Sequence, residues 1–361
     1  MRDKLLKNNI IKAQKAIIDI GTDSTKVLEV SYTSKEINID EAYFLKVGYD
    51  GETSFTEIAK KIDEKLYGRQ RKDVIVVIPA NLTESKIISV KNKNNKDANK
   101  VVHKQCRTFG RSNPLTHVVT ASFMGTREEQ GDTVTYYLIS SVQKGIMNEL
   151  IEAFADFGMK ITRVVSNQFN QVCLSEIFAD DFDNINRILV DFGNNESRIT
   201  VFADKVAVYS RAIPIGFQSY VKKLFDANNS AGKKEILAAL INIGEVEVNE
   251  DTEKEMLFNI GKSFYYESVS EVNKQFFKEF ARILDMCTNS DIEISKVYIS
   301  GFVLNGFLNS FMNNTEIDCE LIRFENGEFK AGHGIIIDVQ TEKPLSSRFT
   351  NAVGLSFCPL F

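Results

Sequence analysis

Residues 17–30 read IIDIGTDSTKVLEV, and residues 189–202 read LVDFGNNESRITVF. Aligned without gaps, Asp19 meets Asp191, Gly21 meets Gly193 and Lys26 meets Arg198, with apolar positions coinciding on both sides. Each copy follows the same local logic. An apolar run (Ile17, Ile18; Leu189, Val190) reads as a buried strand ending at an Asp. A Gly two residues on allows a tight turn, small polar residues fill the tip, and a second strand resumes at 26–31 and at 198–203. The two copies lie about half a chain apart in a sequence of 361 residues, too far for a solenoid repeat. Two related domains facing one another are predicted.

Such a tip has chemical uses. Backbone amides beside small side chains can cradle phosphate oxygens. An Asp at the strand end suits Mg²⁺, which takes few carboxylates and keeps several waters. One DxG turn is most simply a hairpin; its recurrence at matching positions favours a shared ligand-binding role.

Composition narrows the classes. With 43% hydrophobic and 26% charged residues the chain is ordinary globular material, long enough for two or three domains of about 150 residues. The net charge of −5 gives no global case for nucleic-acid binding. No apolar run approaches the roughly 18–20 residues of a membrane helix, and the basic leader at 1–15 lacks a signal-peptide core. Five scattered cysteines without a CxxC pair fit a reducing cytoplasm rather than a disulfide framework or zinc ribbon. Three histidines, His103, His117 and His333, are too dispersed to suggest a metal site.

Outward from the first hairpin, 37–48 reads as a third strand. Residues 55–68 read as a helix with Phe55, Ile58, Ala59, Ile62 and Leu66 on one face and Gly68 as its stop. Residues 74–78 look like a strand buried on both faces. Residues 80–165 look like a separate α+β insert: a strand at 86–90, a lysine-rich stretch at 91–104, a helix, strands at 118–124 and 133–142, a helix at 145–157 and a strand at 161–165. A helix at 167–178 returns to the second hairpin. Residues 224–290 read as mostly helical, with a short helix at 233–242, an acidic connection at 244–255 and a long helix at 268–287 opened by a Ser268–Glu271 capping box. A strand at 296–300 ends at Gly301, a helix spans 305–312, and further strands fall in 319–340 before the tail NAVGLSF.

This order of hairpin, insert, hairpin, helical region and strand–Gly–helix resembles the actin-like ATPase superfamily. IDIGTDSTKV resembles its first phosphate loop, VDFGNNESRITVF its second, and YISGFVLNGF its adenosine loop. The insert sits where the FtsA/PilM branch carries its own. The first hairpin and the segment 139–166 resemble the PilM family of type IV pilus assembly proteins in particular, over roughly residues 16–357. The resemblance implies an α/β actin-like fold of two related domains flanking a nucleotide cleft, with a small α+β insert. The first domain would comprise 16–79 and 166–188, the insert 80–165, the second domain 189–223 and 291–361, and a helical nucleotide-contacting subdomain 224–290.

The resemblance further implies ATP and Mg²⁺ as ligands. Asp19 and Asp191 would orient metal and water. Gly21, Thr22, Ser24 and Lys26 match the first phosphate loop; Gly193, Asn194 and Ser197 match the second; Gly301 and Gly306 match the adenosine loop. Lys278, Glu279 and Arg282 lie on the helix expected to face the nucleotide. The implied partner is the N-terminal cytoplasmic segment of a membrane-anchored protein of the PilN type, docked with help from the insert, at the inner face of the cell membrane.

Some residues depart from the family pattern. Phe302 and Val303 follow Gly301 where glycine is usual, and Glu196 sits in the second loop, where a negative charge opposes phosphate. No general base stands out, so any hydrolysis is expected to be slow. Two other readings stay open: a filament-forming scaffold of the FtsA type, or a docking platform that has lost its nucleotide. The chain ends soon after the core motif, without the amphipathic tail expected of FtsA-type proteins, which favours the pilus reading. The lysine-rich stretch reads as a solvated loop or, alternatively, as a contact for anionic lipid. The leader reads as an amphipathic membrane-surface helix or a frayed end. A sugar-kinase role lacks a recognisable carboxylate base in a substrate loop.

Overall fold

The computed structural model describes residues 13–33, 35–66, 73–91, 95–109, 113, 115–178, 186–227, 262–303 and 307–358. The helix expected at 233–242, the acidic connection, Gly68, Gly306 and most of the leader lie outside these residues. The chain divides into two compact units. One is drawn from 1–185, 200–210 and 323–361, the other from 186–199 and 211–322.

The first unit begins with the hairpin β1 (Ala13–Ile20) and β2 (Thr25–Tyr32), extended antiparallel by β3 (Glu36–Leu45). Helix α1 (Phe55–Leu66) follows, then β4 (Asp73–Ile78), which runs parallel to β1 in the register Ile17↔Ile75. Ser54 Oγ accepts the Glu57 amide at 3.2 Å and so starts α1. All five apolar residues expected on one face of α1 are buried.

The chain then makes β5 (Thr83–Lys91), α2 (Asn95–Arg107), β6 (His117–Glu129) and β7 (Asp132–Gln143). These strands form their own antiparallel sheet in the order β5-β7-β6. The lysine-rich stretch is therefore largely helical, not loop. Next come α3 (Lys144–Ala155), β8 (Lys160–Ser166) and α4 (Asn167–Ile177), whose first turn is capped by Ser166 Oγ.

The insert expected at 80–165 is thus smaller than its sequence outline. β8 pairs parallel with β4 in the main sheet, and Leu150, Ala153 and Phe154 of α3 join α1 in one core over Ala16, Ile18, Val74 and Val76. Periodicity identifies such elements but not the sheet they join.

The second unit carries β9 (Arg187–Phe192), the start of β10 (Ser197–Ala203), the end of β11 (Val206–Ile213), α5 (Phe217–Ala227), α6 (Lys262–Asn289), β12 (Lys296–Gly301), α7 (Phe307–Thr315) and β13 (Asp318–Leu321). These strands order as β11-β10-β9-β12-β13. Its core is aromatic: Phe192, Phe276, Phe280, Phe307 and Phe311 are all buried, with neighbouring ring centroids 4.9–6.2 Å apart. Ser268, expected to cap the long helix, is buried inside α6, which starts at Lys262.

The C-terminal part corrects the expected domain boundary. Strands β14 (Gly327–Lys330) and β15 (Ile336–Val339) and helix α8 (Thr350–Phe357) belong to the first unit, not the second. β15 pairs parallel with β3, giving a seven-stranded sheet β14-β15-β3-β2-β1-β4-β8. α8 is buried along its length except Asn351, and Asn170 of α4 donates to the Asn351 carbonyl at 2.8 Å. Among the described residues no helix is long and apolar enough to cross a membrane.

Candidate functional site

The two DxG hairpins are built alike, down to individual hydrogen bonds. In the first, the Gly21 amide donates to the Ser24 carbonyl at 3.0 Å; in the second, Gly193 donates to Glu196 at 3.1 Å. The turn glycine's carbonyl is then met from behind. Tyr49 N–H donates to Gly21 at 2.8 Å and Phe217 N–H donates to Gly193 at 3.0 Å. Thr25 Oγ1 donates to the Val47 carbonyl at 2.7 Å, and Ser197 Oγ to the Ile215 carbonyl at 2.6 Å. In each unit, then, a third strand ends in an apolar–Gly–aromatic step, Val47-Gly48-Tyr49 or Ile215-Gly216-Phe217, that backs the turn.

The two backing glycines are dictated by space. A Cβ on Gly48 would lie 2.6 Å from both the Asp23 nitrogen and the Gly21 oxygen; on Gly216 it would lie 2.6 Å from the Asn194 oxygen. Real side chains do not approach backbone that closely. Neither glycine was singled out from sequence. The signal was present as VGY and IGF, but these steps lie 27 residues after Gly21 and 23 after Gly193, so an ungapped alignment passes over them.

The polar residues of the hairpins differ. In the first, Asp19 and Lys26 are cross-strand partners, both buried, with Lys26 Nζ 3.8 Å from Asp19 Oδ2. In the second, Arg198 turns to Glu196 at 2.8 Å, and Asp191 lies 3.5 Å from Ser300 Oγ of β12. The Glu196 charge that the sequence set against phosphate is therefore compensated inside its own loop. Ser197 is fully buried with its proton committed to Ile215, so it anchors the turn, whereas the resemblance gave it to the phosphates. Asn194 accepts from Gln218, through its carbonyl at 2.8 Å and through Oδ1 at 3.3 Å.

Gly301 closes β12 at a φ of +89°, and a Cβ there would meet the Phe192 oxygen at 2.2 Å. Only glycine fits this register, Gly301↔Phe192, with Phe302 N–H donating to the same oxygen at 2.8 Å. Phe302 turns inward. It is buried, with its ring centroid 4.9 Å from Phe217. On α6, Glu279 is gripped by Arg282 one turn on (2.5 Å) and by Arg211 of β11 (3.0 Å), while Lys278 is exposed. Arg211 is a member of this group that the sequence did not reveal.

The residues present suit a phosphate ligand and a lightly held divalent cation. Ser24 Oγ is buried with no hydrogen-bond partner among the described residues, an uncompensated polar atom in the first loop. Each hairpin supplies one strand-end carboxylate. Among the described residues no group of three or more His, Cys, Asp or Glu could hold a metal by protein ligands alone. One carboxylate per loop plus water matches Mg²⁺ better than Zn²⁺ or Ca²⁺.

No protein-family model and no curated protein matches the sequence. Solved structures do match. A chain of a PilM-PilN type IV pilus biogenesis complex superposes with a TM-score of 0.74 at 13% identity, covering 97% of this chain and 100% of the other. The ethanolamine utilization protein EutJ from Carboxydothermus hydrogenoformans matches at 11% identity and TM-score 0.49, covering 97% and 91% of the two chains. A Bacteroides thetaiotaomicron protein described as having an actin-like ATPase fold matches at 8% identity and TM-score 0.43, covering 86% and 91%. At such identities a likeness establishes fold and nothing finer. The chain has the actin-like ATPase fold, and over nearly its whole length it is folded like the matched chain of the PilM-PilN complex.

Proposed function

We propose that this protein is a cytoplasmic, ATP-responsive scaffold of a type IV pilus-type assembly complex, docking the N-terminal segment of a membrane-anchored, PilN-like partner. The observation that carries the reading is the full-length structural likeness to a chain of the PilM-PilN complex. The duplicated hairpins, with their matched backing glycines, support the nucleotide half. Asp19 and Asp191 would hold Mg²⁺ through water, Gly21, Thr22, Ser24 and Lys26 would meet phosphate in the first loop, and Gly193 and Asn194 in the second. Mg²⁺, when bound, would neutralise phosphate charge and position water. Lys26 brings a buried cation to the first loop at the expense of its pairing with Asp19. Turnover would be weak, because among the described residues no carboxylate or histidine stands out as a general base. ATP would alter partner docking only through different affinities for two conformations of the scaffold.

A second reading, a docking platform without nucleotide, is favoured by one observation: Ser197, which the resemblance gave to the phosphates, is buried with its hydroxyl committed to the Ile215 carbonyl. The test is a pull-down with the N-terminal cytoplasmic segment of a PilN-like membrane protein from the same organism, with and without Mg²⁺-ATP. Capture that changes with ATP supports the scaffold reading, and ATP-independent capture supports the platform. No capture in either condition overturns both.

A further inference from the structure

Charge is unevenly distributed in this acidic chain. Between residues 86 and 107 lie seven Lys or Arg and a single Asp, although the whole sequence carries −5. Much of this segment is the helix α2 of the insert. Val102 is buried beside Val90, with Ile88, Cys106 and Tyr137 packed around them, so this side of α2 is seated on the three-stranded sheet. Lys100, Lys104 and Arg107 recur at i, i+4 and i+7, one stripe of a helix, and all three are exposed. Exposed Lys86 on β5 adds to the same region.

Exposed apolar groups accompany the stripe on the same part of the chain. Val101 is 41% exposed, and Phe123 of β6 is 56% exposed. Phe123 lies edge-on to Tyr137 at 6.1 Å, and Tyr137 in turn packs on the Val90–Val102 cluster beneath α2. A basic stripe with protruding Val and Phe is the chemistry of a surface that rests on anionic headgroups and inserts apolar groups between them. Two separate apolar side chains set among basic ones suit a headgroup surface better than a protein interface, whose core is a packed apolar patch depleted of charge.

We propose that this face of the insert, centred on Lys100, Lys104, Arg107 and Phe123, binds the surface of anionic lipid membranes. The contact would be weak and reversible, orienting a protein that a partner segment also holds. It depends on neither nucleotide nor partner, so it can fail or succeed independently of the function proposed above.

The test is co-sedimentation of the full chain, without ATP or partner, with vesicles of two parts phosphatidylethanolamine to one part phosphatidylglycerol. Wild-type protein is expected to sediment with these vesicles, to stay in solution with purely zwitterionic ones, and to be released by raised salt. The triple variant Lys100→Gln, Lys104→Gln, Arg107→Gln is expected to partition roughly a hundredfold less, at about 1 kcal/mol for each charge. Phe123→Ser is expected to weaken binding several-fold while leaving its salt dependence intact, and Lys61→Gln, an exposed lysine on α1, is expected to change nothing. All of these side chains face solvent, and unchanged circular dichroism is expected for each variant. Failure of the wild type to sediment overturns the proposal, as does a triple variant that sediments like the wild type. Retention of the chain on polyglutamate without vesicle binding would assign the face to an acidic protein and also overturn it.

Discussion

Gly48 and Gly51 lie three residues apart in the connection after β3, yet they should respond to the same substitution in different ways. Gly51 has a φ of +99°, and a Cβ added there would find nothing within 4 Å. Gly51→Ala therefore meets only backbone strain, about 1–2 kcal/mol, partly offset by the stiffer unfolded chain. Gly48 carries no such φ, but a Cβ there would sit 2.6–2.7 Å from three backbone atoms of Gly21 and Asp23. Backbone cannot swing aside as a lysine tip can, so the first loop or the backing strand must move. Overpacking of this kind costs about 1–3 kcal/mol. The 2.8 Å bond from Tyr49 N–H to Gly21 would be strained with it, at about 1 kcal/mol. Since both changes stiffen the unfolded chain alike, that contribution cancels in the comparison. Gly48→Ala is expected to destabilise by about 1.5 kcal/mol more than Gly51→Ala. Urea denaturation, with amide exchange in β1–β3 to localise the loss, measures the difference. Two variants within about 0.5 kcal/mol of each other would refute a rigidly backed first loop.

Other outcomes follow from the same structure. Ser24→Ala removes a buried hydroxyl without a described partner, so it should leave the unliganded protein as stable or slightly more so. The same change should weaken ATP binding about tenfold by calorimetry. Arg127 bridges Glu129 at 3.0 Å and Asp204 at 2.9 Å with its side chain only 13% exposed. Arg127→Ala should therefore cost about 1–3 kcal/mol and speed amide exchange in β6 and in the β10–β11 turn together. The Cys358 thiol is lowered from its ordinary value to about 7, first by a hydrogen bond from Cys173 and then by Arg163, whose Nη1 donates to Cys358 Sγ at 3.2 Å. A depressed folded-state value stabilises fully above the unfolded one, near 9, and the gain disappears as pH falls through 7. Between pH 7 and pH 8 the wild type should thus gain more unfolding free energy than the Cys358→Ser variant, and the raised Cys173 thiol beside it offsets that gain as pH nears 9.

The sequence repeat carried the architecture a long way. Asp19 and Asp191, Gly21 and Gly193 hold equivalent places in their hairpins because a buried strand entering a glycine turn is a local pattern, readable within ten residues. The backing glycines escaped because the loops between them differ in length, and steric exclusion leaves no periodic signal. The C-terminal strands were visible as strands, but β15 joins β3 across some three hundred residues, and strand propensity does not name a partner. The lysine-rich stretch looked like loop because its apolar content is low. Lysine is nonetheless a good helix former, and Val102 with Cys106 suffices to seat α2 on its sheet. Phe302 was expected to crowd an open loop; burial against Phe217 accounts for the phenyl ring instead.

The central claim is that the DxG hairpins serve to bind Mg²⁺-ATP, and calorimetric titration of ATP into the purified protein, with and without Mg²⁺, tests it most directly. The expected result is saturable binding that requires Mg²⁺ and is lost in Asp191→Ala while that variant keeps the wild-type fold by circular dichroism. Absence of binding at high micromolar ATP with Mg²⁺ present, or Asp191→Ala binding as tightly as the wild type, would contradict it.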